Sequence, residues 1–147
     1  MSQYRSPVWP AATVQEDRPG QPLYLSPIPA GWPSPAEDYV ETELDLHRLV
    51  VRNQASTFFL RATGDSMRDA GILSGDLLVV DRSVEANPGS IVIAALEGEL
   101  TVKRLVCKKG RTWLAPENPA YSPIDITEHE DVHIWGVVTH ALHSFKS

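Results

Sequence analysis

The chain has 147 residues, 42% of them hydrophobic and 22% charged, which bounds it to one globular domain with room for a tail. A net charge of −6 and a pI near 5.3 exclude phosphate-driven nucleic-acid binding, which needs clustered Lys and Arg. A single cysteine, Cys107, excludes an intrachain disulfide and a cysteine-rich zinc module.

No run of eighteen apolar residues is present and no apolar segment follows Met1, so neither a membrane span nor a secretory signal is expected, and the expected compartment is the cytoplasm. Eight of the twelve prolines fall within the first thirty-five residues. Proline fixes φ and removes a backbone donor, so residues 1–33 are predicted to be an extended, mobile arm. Its apolar side chains Leu23, Tyr24, Leu25, Ile28 and Trp32 are more than a solvated tail needs, and point to docking in a groove.

The folded part, residues 34–147, opens on Ser34-Pro-Ala-Glu37, which reads as a helix start with a Ser cap and Pro at the first helical position. A short helix to roughly Glu41 is predicted, and a further helical turn over Asp45–Val51. Strands are predicted over Thr57–Thr63, Asp76–Asp81, Ser90–Leu96, Glu99–Leu105, Trp113–Ala115 and His133–His140, each short and rich in β-branched or aromatic residues. Glu97-Gly98 supplies a two-residue hairpin turn between two of them. The fold class is therefore mostly β: a compact, strongly bent sheet with one or two short helices.

Ser66, in Gly64-Asp65-Ser66-Met67, stands just past the first of these strands, in a turn whose N–H groups could face a developing oxyanion. A serine needs a base to become a nucleophile. No histidine is placed to serve, but Lys103 is. The period of two puts it on one face with Thr101 and Leu105, opposite Arg104. Desolvation favours a neutral lysine, which can accept a hydroxyl proton.

Gly64-Asp65-Ser66-Met67, Gly71-Ile72, Gly75-Asp76-Leu77-Leu78-Val79-Val80-Asp81, Thr101-Val102-Lys103-Arg104-Leu105, Pro116–Ile124 and Ile134–Val138 together resemble the LexA/UmuD family of Ser/Lys autoproteases. Ala30-Gly31-Trp32-Pro33 resembles the cleavage region of its UmuD-like members. The resemblance covers roughly residues 30–143. It implies the LexA-like β-fold, Ser66 as nucleophile, Lys103 as general base and a scissile bond at Ala30–Gly31 in the chain's own arm. It also implies a homodimer, stimulation by RecA filaments on single-stranded DNA, and a UmuC-like translesion DNA polymerase as partner of the trimmed form in the SOS response. No cofactor and no metal are implied, and no sequence-specific DNA binding, since the arm carries no helix-turn-helix pattern.

His129-Glu-Asp-Val-His133 spells the zinc-protease string, but its β-branched surroundings argue against the helix that such a site needs. His140 and His143 read as surface residues, and Cys107 as a small apolar filler. Lys103, Arg104, Lys108, Lys109 and Arg111 read as a solvated hairpin end, and the acidic run Glu37, Asp38, Glu41, Glu43 and Asp45 as a solvated helix face, a reading that holds only if the chain is helical there. The competing functions are a non-catalytic dimeric polymerase adaptor and, disfavoured by the missing anchor, a signal-peptidase-like enzyme.

Overall fold

The computed structural model describes residues 20–25, 27–31 and 41–145. The helix expected from Ser34 lies outside these residues, as do Trp32, Glu37 and Asp38. The contacts divide the chain into two units, one ending at Leu49 and one beginning at Val50.

In the first unit, β1 (Gln21–Tyr24) pairs antiparallel with β2 (Glu41–Leu44), Gln21 opposite Leu44 and Tyr24 opposite Glu41. Composition alone reads these first residues as an extended arm. The segment is indeed extended, but four of its residues form a strand pair, which a two-stranded edge permits despite Pro22. The partner strand places Glu41 and Glu43 in β structure rather than on the helix face read from the acidic run. Leu23, Tyr24 and Leu25 remain exposed, and Ile28 is 92% exposed. The short helix α1 (Leu46–Val50) falls where a helical turn was predicted. Asp45 starts it, its carboxylate accepting from the Arg48 amide at 3.2 Å.

The second unit is a seven-stranded antiparallel sheet ordered β3-β4-β9-β5-β6-β7-β8. Its strands are β3 (Thr57–Arg61), β4 (Leu77–Asp81), β5 (Ile91–Leu96), β6 (Glu99–Lys108), β7 (Arg111–Ala115), β8 (Ile124–Asp125) and β9 (Val132–Leu142). Six of these follow the predicted segments, and β6 runs three residues further. Only the two-residue β8 carries no strand signal of its own. Its Asp125 binds Arg111 at 2.5 Å. Glu97 and Gly98 form the predicted tight turn, with φ of 53° and 81°.

The final strand, β9, inserts between β4 and β5, so the last long segment of the chain completes the centre of the sheet. β4 and β5 are accordingly buried over three or four successive residues, the pattern of strands covered on both faces. Alternate residues of β5 serve two separate clusters. Ile93 packs with Ala62, Met67, Ile72, Leu78 and Val80, while Val92 and Ala94 pack with Leu105, Leu114 and Val137.

β9 fits its central place through two register shifts and through Gly136. A Cβ at Gly136 would stand 2.7 Å from Val80 Cγ1 and 3.3 Å from the Asp81 carbonyl. Val80 is fully buried and has nowhere to move. Gly136→Ala is expected to cost about 1–3 kcal/mol by overpacking, read as a lower urea midpoint at unchanged m-value.

Candidate active site

Ser66 lies in the turn that leaves β3. The turn's base is closed by two backbone bonds, Ala62 N–H to the Asp76 carbonyl at 2.9 Å and Gly75 N–H to the Ala62 carbonyl at 2.8 Å. Gly64 takes φ +84°, where a side chain would be strained, and its amide donates to Ser74 Oγ at 3.1 Å. Met67 is 1% exposed and belongs to the first cluster with Leu78 and Ile93. It plugs the turn into the core and leaves the adjacent Ser66 half-buried.

Four strand spacings separate β3 from β6, so on a flat sheet the two would lie about 19 Å apart. The bent sheet and the plugged turn cross that gap. Lys103 Nζ donates to Ser66 Oγ at 3.2 Å, to Thr101 Oγ1 at 2.7 Å and to the Val102 carbonyl at 3.1 Å. The period-two placement of Thr101 beside Lys103 is therefore observed. Burial pushes the Lys103 amine below the usual lysine value. The pair borders a cavity of about 350 Å³ whose apolar wall includes Leu60, Leu78, Ile93 and Val102.

β6 pairs with β5 over Glu99–Arg104, and with β7 only from Arg104 onward. Among the described residues, Glu99–Lys103 thus presents a strand edge beside the Ser66–Lys103 pair.

A loop that sequence reading did not assign to the site braces it. The Glu117 amide donates to the Ser66 carbonyl at 2.8 Å, and the Asp69 amide to the Glu117 carbonyl at 2.8 Å. Buried Asn118 donates through Nδ2 to the Asp65 carbonyl at 2.9 Å. The Tyr121 hydroxyl donates to Asp65 Oδ1 at 2.5 Å, and that bond holds the phenol above its ordinary pKa. The segment Pro116–Ile124 was visible as part of a family pattern, but turn-forming residues carry no periodicity that could place it against Ser66.

The other singled-out residues fall as follows. Ala30 and Gly31 lie in the first unit, exposed in a bend, and among the described residues nothing lies within 4 Å of where a Gly31 Cβ would stand. His129 sits in the turn before β9 and His133 on β9, so they do not share a helix face.

Three sequence readings are corrected. Cys107 is exposed rather than an apolar filler, because it lies on the outer part of β6 with Sγ 3.8 Å from Thr112 Oγ1. His143 is more than a surface residue: its Nδ1 lies 2.6 Å from Asp76 Oδ1, and Asp76 is only 1% exposed. Arg104 does not simply face solvent, since it pairs with Glu117 at 2.5 Å. Lys108 and Lys109 are exposed at the β6–β7 turn, in keeping with a solvated hairpin end.

A serine hydroxyl hydrogen-bonded to a partly desolvated amine, set in a cleft on a mostly β body, has the chemical make-up of a peptidase site. The family described as Peptidase S24-like matches residues 22–139, and the chain belongs to that family. It is 50% identical to Protein SamA of Salmonella typhimurium over 86% of this chain and 87% of SamA. It is 50% identical to Protein MucA of Escherichia coli over 82% of this chain and 83% of MucA. The LexA repressor of Bordetella parapertussis is 44% identical over 75% of this chain but only 50% of its own length. Among the described residues, no helix is long and apolar enough to cross a membrane.

Proposed function

We propose that this chain is a Ser/Lys endopeptidase that cuts its own arm between Ala30 and Gly31. Ser66 is the nucleophile and Lys103 the general base. Residues 1–33 form the arm and residues 34–147 the catalytic body. The contact at 3.2 Å between Lys103 Nζ and Ser66 Oγ carries the reading.

The chemistry follows from the donors and acceptors around Nζ. A charged lysine has three N–H groups, and three acceptors surround this one. A neutral lysine keeps two N–H groups, which suit Thr101 Oγ1 and the Val102 carbonyl. Its lone pair then faces Ser66 Oγ, and the hydroxyl donates to it. As Oγ attacks the Ala30 carbonyl carbon, its proton passes to Nζ. The same proton then goes to the leaving Gly31 amine as the Ala30–Gly31 bond breaks. Water hydrolyses the resulting ester. The β6 edge at Glu99–Lys103 would pair with an extended peptide backbone. Exposed Gly31, with no Cβ to crowd the attack, suits the scissile position.

The likeness to UmuD-type relatives supports the cellular half of the proposal. Processing is stimulated by RecA filaments on single-stranded DNA during the SOS response. The trimmed homodimer, in the cytoplasm, then serves a UmuC-like translesion polymerase.

Intact-mass analysis of purified protein at alkaline pH, or with RecA filaments, tests the reading. The expected result is a product beginning at Gly31 that Ser66→Ala does not form. A wild-type chain that stays whole under both conditions would overturn it in favour of the non-catalytic adaptor.

A further inference from the structure

Glu117 is bonded to Ser66 and to Arg104, the residue that follows Lys103 in β6. Its amide donates to the carbonyl of Ser66, and its carbonyl accepts from Asp69, so its backbone holds the turn at two points. Its carboxylate binds Arg104 Nε at 2.5 Å. Arg104 follows Lys103 in β6 and is fixed a second time, Nη1 donating to the Gly89 carbonyl at 2.6 Å. Ser66 and Lys103 are thirty-seven residues apart and stand on elements that are not sheet neighbours. We propose that Glu117 is a positioning residue, a strut that sets the distance between the Ser66 turn and the strand bearing Lys103.

The proposal rests on the Ser/Lys reading above. Both partners of the ion pair are about one-third exposed, 31% and 33%, and an exposed pair adds little to global stability. Its loss should therefore appear in the reaction rather than in melting. A displacement of a reacting group by about 1 Å can cost on the order of 100-fold in rate.

Glu117→Gln keeps the backbone bonds and most of the volume but removes the charge. Two rates are measured from pH 7 to 11: self-cleavage, and phosphonylation of Ser66 by a small fluorophosphonate followed by intact mass. The second needs no arm, so it reads the pair even where self-cleavage is absent. The expected result is a fall of about tenfold in the high-pH plateau of phosphonylation and of any self-cleavage, with the midpoint of the pH profile and the melting temperature unchanged. Exchanging the charges, Arg104→Glu with Glu117→Arg, should restore part of the plateau.

A plateau within twofold of the parent overturns the proposal. So does a loss that tracks a fall in melting temperature, since that marks a structural role. A shifted midpoint at constant plateau also overturns it, since the carboxylate would then act on the Lys103 charge. A parent that phosphonylates but does not self-cleave sinks the self-cleavage reading alone. A parent that does neither sinks both.

Discussion

Lys103→Met is expected to lower self-cleavage by about 10²–10⁴-fold, the usual worth of a general base, and to leave the fold intact. Methionine matches the stem of lysine and fills the same path between Thr101 and Ser66 without a proton acceptor. The measurement is the first-order rate of appearance of the fragment beginning at Gly31, with circular dichroism as the control for folding. A variant that cleaves within tenfold of the parent would remove Lys103 from the role of base.

The pH dependence separates this base from any other. Burial lowers the Lys103 pKa from its ordinary value of 10.5. Only the neutral amine accepts the serine proton, so the parent rate should rise with pH, with a midpoint below 10.5. A rate already flat above pH 7 would exclude a lysine base. Stability carries the same signature. Between the lowered folded pKa and 10.5 the unfolded chain holds more protons at this position than the folded one. Unfolding therefore becomes less favourable as pH rises through that window. The parent should gain stability relative to Lys103→Met over that range, and the difference should be flat below it. Denaturant titrations of both proteins across the window give the comparison.

Strand positions in the second unit were legible because the signals there are local. β-branched runs, a period of two and the Glu97-Gly98 turn each act within a few residues. The Ser66 turn and the face that Lys103 shares with Thr101 are local signals, but each alone reads as structural, and only the family resemblance joined the two residues as a pair. The bracing groups were not legible. Glu117, Asn118 and Tyr121 reach Ser66 and Asp65 from a turn-rich segment some fifty residues onward, and no periodicity links them. The Asp76–His143 contact joins the start of β4 to residues past the end of β9, and it exists only because β9 returns to the middle of the sheet. The exposure of Cys107 has another origin. β6 is covered along its middle but runs out past the second cluster, and composition does not reveal where cover stops. The β1–β2 pair was hidden by Pro22, which argues against a central strand and is silent about a two-stranded edge.

The two core clusters should answer differently to truncation. Leu78 is 1% exposed in the first and Leu114 fully buried in the second. Leu78→Ala and Leu114→Ala each remove three carbons from a closed site and should each cost about 2–5 kcal/mol. For a body near one hundred residues that lowers the melting temperature by roughly 10 °C or more. Cleavage measured well below both melting points should then divide them. Leu114 packs with Val92, Ala94, Leu105 and Val137 and not with Met67, so its loss leaves the plug under Ser66 in place and should hold the rate within about twofold. Leu78 lies in one cluster with Met67, the plug that seats Ser66, and also lines the cavity beside the pair. Its loss frees the plug and should slow cleavage about tenfold or more, through the misplacement of the nucleophile. Equal rates in the two variants would mean that Ser66 is held by the backbone bonds from Glu117 and Ala62 alone. A slow Leu114→Ala would mean instead that the two clusters behave as one mechanical unit through β5, whose successive residues Val92, Ile93 and Ala94 they divide.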